Sequence, residues 1–316
     1  MTSMERIVMR IKISSILYRT IPHILFISLL VLSLLQVQTK GLKAMLPFTV
    51  LVIVQEVLSI LLCKKWEIPA IMDIIFTFIT AWFVYANYLN TRVAFLFPAP
   101  NVVVEIFWGD ILLIIKSIVS SFKLLVLGFL IAIVLGVGFG LICGNVKRLR
   151  NMLLPVAEIL SAIPALVYAP YAIAVLPSFW AAGLFVISSG LFWPIFINTM
   201  KTVSNLDKEL YDYTRTLKLG KWDLLYRVML PYCTPGLFNT LTMQISSAFM
   251  LLIGAEMMGM TSGVGWYVKY YVDFSVYKKV LAGFITIGIL VSIVNACMTL
   301  VKRRALVWVD TKRQNI

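Results

Sequence analysis

Few side chains in this sequence could do chemistry, and they do not gather. His23 is the one histidine, and Glu56, Asp73 and Glu256 each stand alone inside long apolar runs. Spacing names no basic partner for Glu56 or Asp73. A lone histidine with distant acids makes no metal site, and the four cysteines show no paired spacing that would hold one. There is no acid pair, no nucleophile beside a base and no Walker-type phosphate loop. No residue is therefore read as catalytic or metal-ligating, and an enzyme is not expected.

What remains is polar chemistry at membrane depth. The pattern Pro155-x2-Glu158-x5-Pro164-x5-Pro170 removes amide donors and frees carbonyls that lipid cannot satisfy. With Ser161, Tyr168 and Tyr171 alongside, that helix either kinks against protein or lines a wet path. Thr240, Thr242, Gln244, Ser246, Ser247 and Glu256 follow on a later helix. Such groups face the bundle or a cavity; the hydroxyls read best as interhelical hydrogen bonds, and Glu256 stands where the outer interface could solvate it. Ser161, Pro164, Tyr168, Gln244, Ser247 and Glu256 are the candidate path residues. Gly128, Gly136, Gly140 and Gly144 mark one helix, and the last three, at four-residue spacing, share a face where small residues let a neighbouring backbone approach, as in ordinary bundle packing.

The elements that position these residues are membrane spans. Of 316 residues, 61% are hydrophobic and 13% charged, which excludes a soluble domain and a disordered chain. Repeated apolar runs of about 20 residues match a helical span, and the alternation of an outer-membrane barrel is missing. The fold class is all-α, a polytopic helical membrane protein with about eight transmembrane helices. They are expected near Ile21–Val37, Met45–Cys63, Ile68–Leu89, Leu124–Cys143, Val156–Leu176, Trp180–Thr199, Leu237–Met258 and Val280–Val301. Val102–Phe122 is expected to lie along the interface. The first apolar run lacks a small-residue cleavage site, so no cleaved leader is expected.

The net charge of +14 fits topology better than nucleic acid, for 20 of the 28 Lys and Arg fall in segments that alternate along the chain. Both termini are then cytoplasmic, and the cysteines sit toward the reducing side. The longest charged segment between spans, Asn205 to Pro231, keeps an apolar stripe at Leu224, Leu225, Val228, Met229 and Leu230 before Pro231 stops the pattern. A helix with one apolar edge and many charges at the membrane surface is built to touch another protein.

Arg215-Thr216-Leu217, then Val228-x-Leu230-Pro231, resembles the EAA loop of bacterial ABC importer permeases. Asp212, Tyr213 and Thr214 stand where that family has Glu-Ala-Ala; Lys218 replaces its glycine, with Leu219 and Gly220 following. Ser121, the glycines named above, Phe192-Trp193-Pro194, Ala255-Glu256-Met257, Ser262-Gly263-Val264-Gly265 and Lys302 to Trp308 are similar to the nitrate/sulfonate/taurine branch. The resemblance covers roughly Pro98 to Trp308. It implies a MetI-like permease core at 98–308 with a coupling loop at 200–236, extra N-terminal helices within 1–97 and a cytoplasmic tail at 309–316.

By that resemblance the chain lies in the bacterial cell membrane and forms the path for a small solute. A sulfonate, taurine, nitrate or a vitamin precursor fits the branch. The implied partners are two copies of a cytoplasmic ATPase, a second permease subunit (a homodimer) and an extracytoplasmic substrate-binding protein. ATP and Mg belong to the ATPase, and this chain binds no cofactor. An ion-coupled secondary transporter is the alternative, but no internal repeat supports it.

Overall fold

A chain this apolar must satisfy its backbone donors and acceptors within each segment, and helices are the one open solution for isolated runs. The computed structural model describes residues 23–36, 42–62, 67–89, 96–206, 209, 213–214, 216–217 and 220–307, and every regular element among them is helical. The chain divides into two compact units, Met1–Leu112 with Tyr271–Ala282, and Leu113–Tyr270 with Gly283–Ile316.

The first unit holds α1 (His23–Gln36), α2 (Leu42–Leu62), α3 (Glu67–Val84), a π-turn at Tyr85–Leu89, and α4 (Pro100–Gly109). Its core is Leu29, Met45, Phe48, Val52 and Phe83, with Phe48 and Phe83 stacked at 5.2 Å. Glu56, for which spacing gave no basic partner, has one: its Oε1 pairs with Nδ1 of His23 from α1. Residues thirty-three apart meet only through helix packing, which is why periodicity did not show the pair. The side chain of Asp73 lies outside the described residues. Asp110 takes Lys279 Nζ at 2.7 Å, and the same ammonium reaches Tyr271 Oη at 3.2 Å.

The second unit holds most of α5 (Ile111–Asn145), then α6 (Lys147–Ala162), a 3-10 turn at Ala165–Tyr168, α7 (Ala169–Val175) and α8 (Phe179–Ser204). After the charged segment come α9 (Leu230–Met257) and most of α10 (Val264–Asp273) and of α11 (Tyr277–Ala305). Among the described residues four helices are long and apolar enough to cross a membrane, and α6 with α7, bent by 77°, makes up to five. Of the three further spans expected, α1 is a short apolar helix, and α2 and α3 run for 21 and 18 residues.

Three expectations need correction. The interfacial stretch is not one piece: only Pro100–Gly109 stands apart, and α5 runs unbroken for 35 residues from Ile111. Lys116 and Lys123 are exposed on that helix, and long basic side chains reach water without ending it. The three prolines also differ in effect. Pro155 lies inside α6, Pro164 forms the extended break, and Pro170 opens α7. Lastly, Pro231 does not stop a helix. It sits in the first turn of α9, which continues from a π-turn at Leu224–Met229 where the Leu230 amide bonds back to Leu225. The wider turn accommodates a residue without a donor.

The glycines of α5 explain how the second unit packs. A Cβ on Gly128 would lie 2.5 Å from Ile187, on Gly136 2.8 Å from Ile195, on Gly140 2.7 Å from Thr199 and on Gly144 2.9 Å from Val203. Partners ascend in the same order, so α5 and α8 run parallel in direct backbone proximity. Gly138, off that face, has nothing within 4 Å. Gly140→Val should therefore destabilise the protein by about 1–3 kcal/mol through overpacking, while Gly138→Val leaves the thermal midpoint of the detergent-solubilised protein unchanged.

Candidate functional site

The charged segment presents a two-sided surface. Leu224, Leu225 and Leu230 pack on the core and Met229 is buried. Facing away, Trp222 and Tyr226 are 66% and 58% exposed and stack at 6.0 Å, one helical turn apart. Asp223 and Arg227 pair at 3.1 Å on the same turns. Tyr213 and Leu217 are also exposed, whereas Thr214 is buried. Asp212, Arg215, Lys218 and Leu219 lie outside the described residues. A Cβ on Gly220 would meet Asp223 at 3.5 Å, an ordinary contact.

Large apolar side chains left in solvent mark contact surfaces. The charges and the buried apolar stripe of this segment stand out in the sequence, whereas Trp222 and Tyr226 are outside that stripe. Their spacing of four residues was the available signal. Where α8 leads into the segment, Lys201 Nζ meets Glu158 of α6 at 2.7 Å, with both side chains half exposed.

Of the expected path residues, the structure brings one into a cavity. A space of about 910 Å³ lies among α5, α6, α7 and α8, and Tyr168 lines it with Tyr171, Phe185, Phe192, Trp193 and Ser189. Tyr168 Oη is 2.8 Å from Ser189 Oγ, and its ring meets Phe185 edge-on at 6.1 Å. No lining residue carries a charge. Ser188 and Ser189 were missed, although two adjacent hydroxyls in an apolar run are a visible signal. Ser161 and Pro164 are exposed beside the cavity but do not line it. Gln244 and Ser247 lie on α9 and do not line the cavity; they are near the exposed Met243 and Met250 in the helix.

Glu256 corrects the expectation of a solvated acid. It is 1% exposed. Ser121 Oγ of α5 donates to Oε1 at 2.6 Å, and the Gly265 amide donates to Oε2 at 2.7 Å. The Val264 amide in turn donates to Ser121 Oγ at 2.8 Å. The carboxylate thus closes a network with the first turn of α10, which is where a helix has orphan donors. The turn leading there depends on Gly263, at φ +121°, where a Cβ would collide with the Glu256 carboxyl group.

Residues 136–306 match the family described as "Binding-protein-dependent transport system inner membrane component". Over 188 residues the chain is 27% identical to a nitrate import permease protein of Leptolyngbya laminosa, covering 60% of this chain and 67% of that one. A Bacillus subtilis (strain 168) permease protein named for aliphatic sulfonates transport is 29% identical over 182 residues, covering 58% of this chain and 66% of its own. A bicarbonate transport system permease protein of Synechococcus elongatus is 30% identical over 151 residues, covering 48% of this chain and 54% of its own. The chain therefore spans from about half to two thirds of the length of these relatives.

The geometry around Glu256 is testable on the purified protein. Gly263→Ala adds a carbon against the carboxylate at a backbone angle that side chains disfavour, and should cost about 2–4 kcal/mol. Gly288→Ala, inside α11 with nothing within 4 Å, should not lower the thermal midpoint and by helix propensity raises it slightly.

Proposed function

Since the chain belongs to the family of inner membrane components of binding-protein-dependent transport systems, we propose that it is the membrane-spanning permease subunit of an ATP-driven importer. It spans the membrane several times, and two such subunits, as a homodimer, enclose the path. An extracytoplasmic binding protein delivers the solute, and two copies of a cytoplasmic ATPase, holding ATP and Mg, drive the cycle. Both termini then lie on the cytoplasmic side.

The observation that carries this reading is the exposed aromatic pair of the charged segment. Trp222 and Tyr226 stack as an exposed aromatic ridge with the Asp223–Arg227 ion pair on the same turns, the composition of an interface centre with a polar rim; Tyr213 and Leu217, also exposed, belong to the same proposed surface. Behind the ridge, Leu224, Leu225 and Met229 fix it to the helical core. A push on the ridge is thus passed to α9 rather than absorbed by a loose loop. ATP-driven closure of the ATPase pair would move the two segments together and switch the side on which the path is open. Asp212, Arg215, Thr216, Lys218 and Leu219 belong to the same proposed docking surface.

For the solute, relatives named for nitrate, aliphatic sulfonates and bicarbonate support a small organic or inorganic anion; a vitamin precursor is the other candidate from the branch. Tyr168 and Ser189 supply hydroxyls in the cavity, and Ser161, Pro164, Gln244 and Ser247 remain proposed path residues. A path without fixed positive charge does not trap an anion, which favours release.

Co-expression with the cognate ATPase tests the docking surface. Truncating a buried interface aromatic costs about 2 kcal/mol, roughly 30-fold in affinity. Trp222→Ala with Tyr226→Ala should therefore abolish co-purification and ATP-dependent uptake while the protein still reaches the membrane. Retention of both by the double variant would refute the proposed role.

A further inference from the structure

At the end of α9 farthest from the charged segment, one turn ties three helices together. Glu256, near the end of α9, holds Ser121 of α5 and the Gly265 amide of α10, as described above. Beside it, Ser120 Oγ of α5 and Ser262 Oγ of the turn are 2.7 Å apart. The same turn is wedged against α8: Phe179 fills the place of a Cβ at Gly259, and Met260 fills that at Gly183. Gly259 and Gly263, both at positive φ, let the chain make this turn at close quarters.

A buried carboxylate is costly unless its acceptors are used, and here both oxygens receive donors. Lipid offers nothing to the orphan amides at the start of α10. Glu256 and Ser121 supply acceptors to two of them, Val264 and Gly265, from two other helices. A cap assembled from separate elements fixes their relative positions, because sliding either helix leaves donors and a charge unpaired together. Both oxygens are engaged within the protein, and the side chain is too enclosed for a passing solute to reach it.

Resting on the importer reading, we infer that Glu256 is a positioning residue: it clamps the 259–265 turn to α5 so that α5, α9 and α10 move as one body during transport. It does not contact the solute.

The Ser120–Ser262 contact provides the test. Cysteines at those two positions place sulfur atoms near the bonding distance of about 2.05 Å, so Ser120→Cys with Ser262→Cys replaces the clamp by a covalent bond that dithiothreitol removes. In the complex with the ATPase, Glu256→Ala should lower the maximal uptake rate about tenfold or more with the half-saturating concentration unchanged, the signature of a lost step rather than lost binding. Oxidation of Glu256→Ala carrying both cysteines should restore the rate, and the two cysteines oxidised in the otherwise unaltered chain should leave it intact. Each single cysteine serves as control.

If oxidised Glu256→Ala stays inactive, the residue does more than position, and the inference falls. It falls equally if the disulfide stops uptake by the chain with Glu256 present, since the clamp must then open. Should the unaltered chain carry no solute with its ATPase, the importer reading fails separately. The clamp is then judged on thermal midpoint alone: recovery of Glu256→Ala on oxidation supports it, and no recovery overturns it.

Discussion

The approach of α5 to α8 is the contact on which the second unit depends. Four glycines bring the two backbones so close that side chains of α8 occupy the positions where α5 would carry its own. In lipid no hydrophobic gain drives helices together, so close packing has to supply the attraction. With α5 and α8 held parallel, the bent pair α6–α7 covers them on one side to make the cavity, and α9 packs along α8. The same register brings Ser120 and Ser121 beside the turn after α9 and lets Glu256 reach them.

That scaffold separates kinds of polar chemistry by position. The lining of the cavity has hydroxyls and aromatic rings but no charge. Ionisable groups lie elsewhere, with the Lys201–Glu158 pair half exposed near the charged segment and Glu256, held by a hydroxyl and an amide, enclosed at the other end of α9. An exposed pair of that kind contributes little to stability. The enclosed carboxylate is different, because breaking its network strands a charge where water cannot reach it.

How much of this was legible depended on whether the signal was local. Helical class and the small-residue face of α5 follow from composition and periodicity, and the structure has both. The partners did not follow. His23 and Glu56 meet through packing of α1 on α2, and Ser121 and Glu256 lie 135 residues apart. Helix ends were misread where a local rule met a tertiary solution. Pro231 is tolerated because a π-turn precedes it, and Lys116 and Lys123 sit on a continuous helix because their side chains reach outward. Among the described residues positive φ belongs to Gly259, Gly263 and Ser275, positions that no local pattern singled out as turns.

The π-turn has a mechanical consequence. Without it Pro231 would separate the charged segment from α9 as a loop. With it, Leu224–Met257 forms one apolar helical run of 34 residues, about 50 Å long at 1.5 Å per residue. The aromatic ridge then begins at one end of a run whose other end carries Glu256. Helices transmit displacement along their axis because each turn is bonded to the next, whereas a loop would absorb it by rotating about free dihedrals. Pro235, inside α9, removes one further amide bond close to the charged end. Any bending is thereby biased toward that end, and the half of the helix that bears Glu256 stays straight enough to hold its cap.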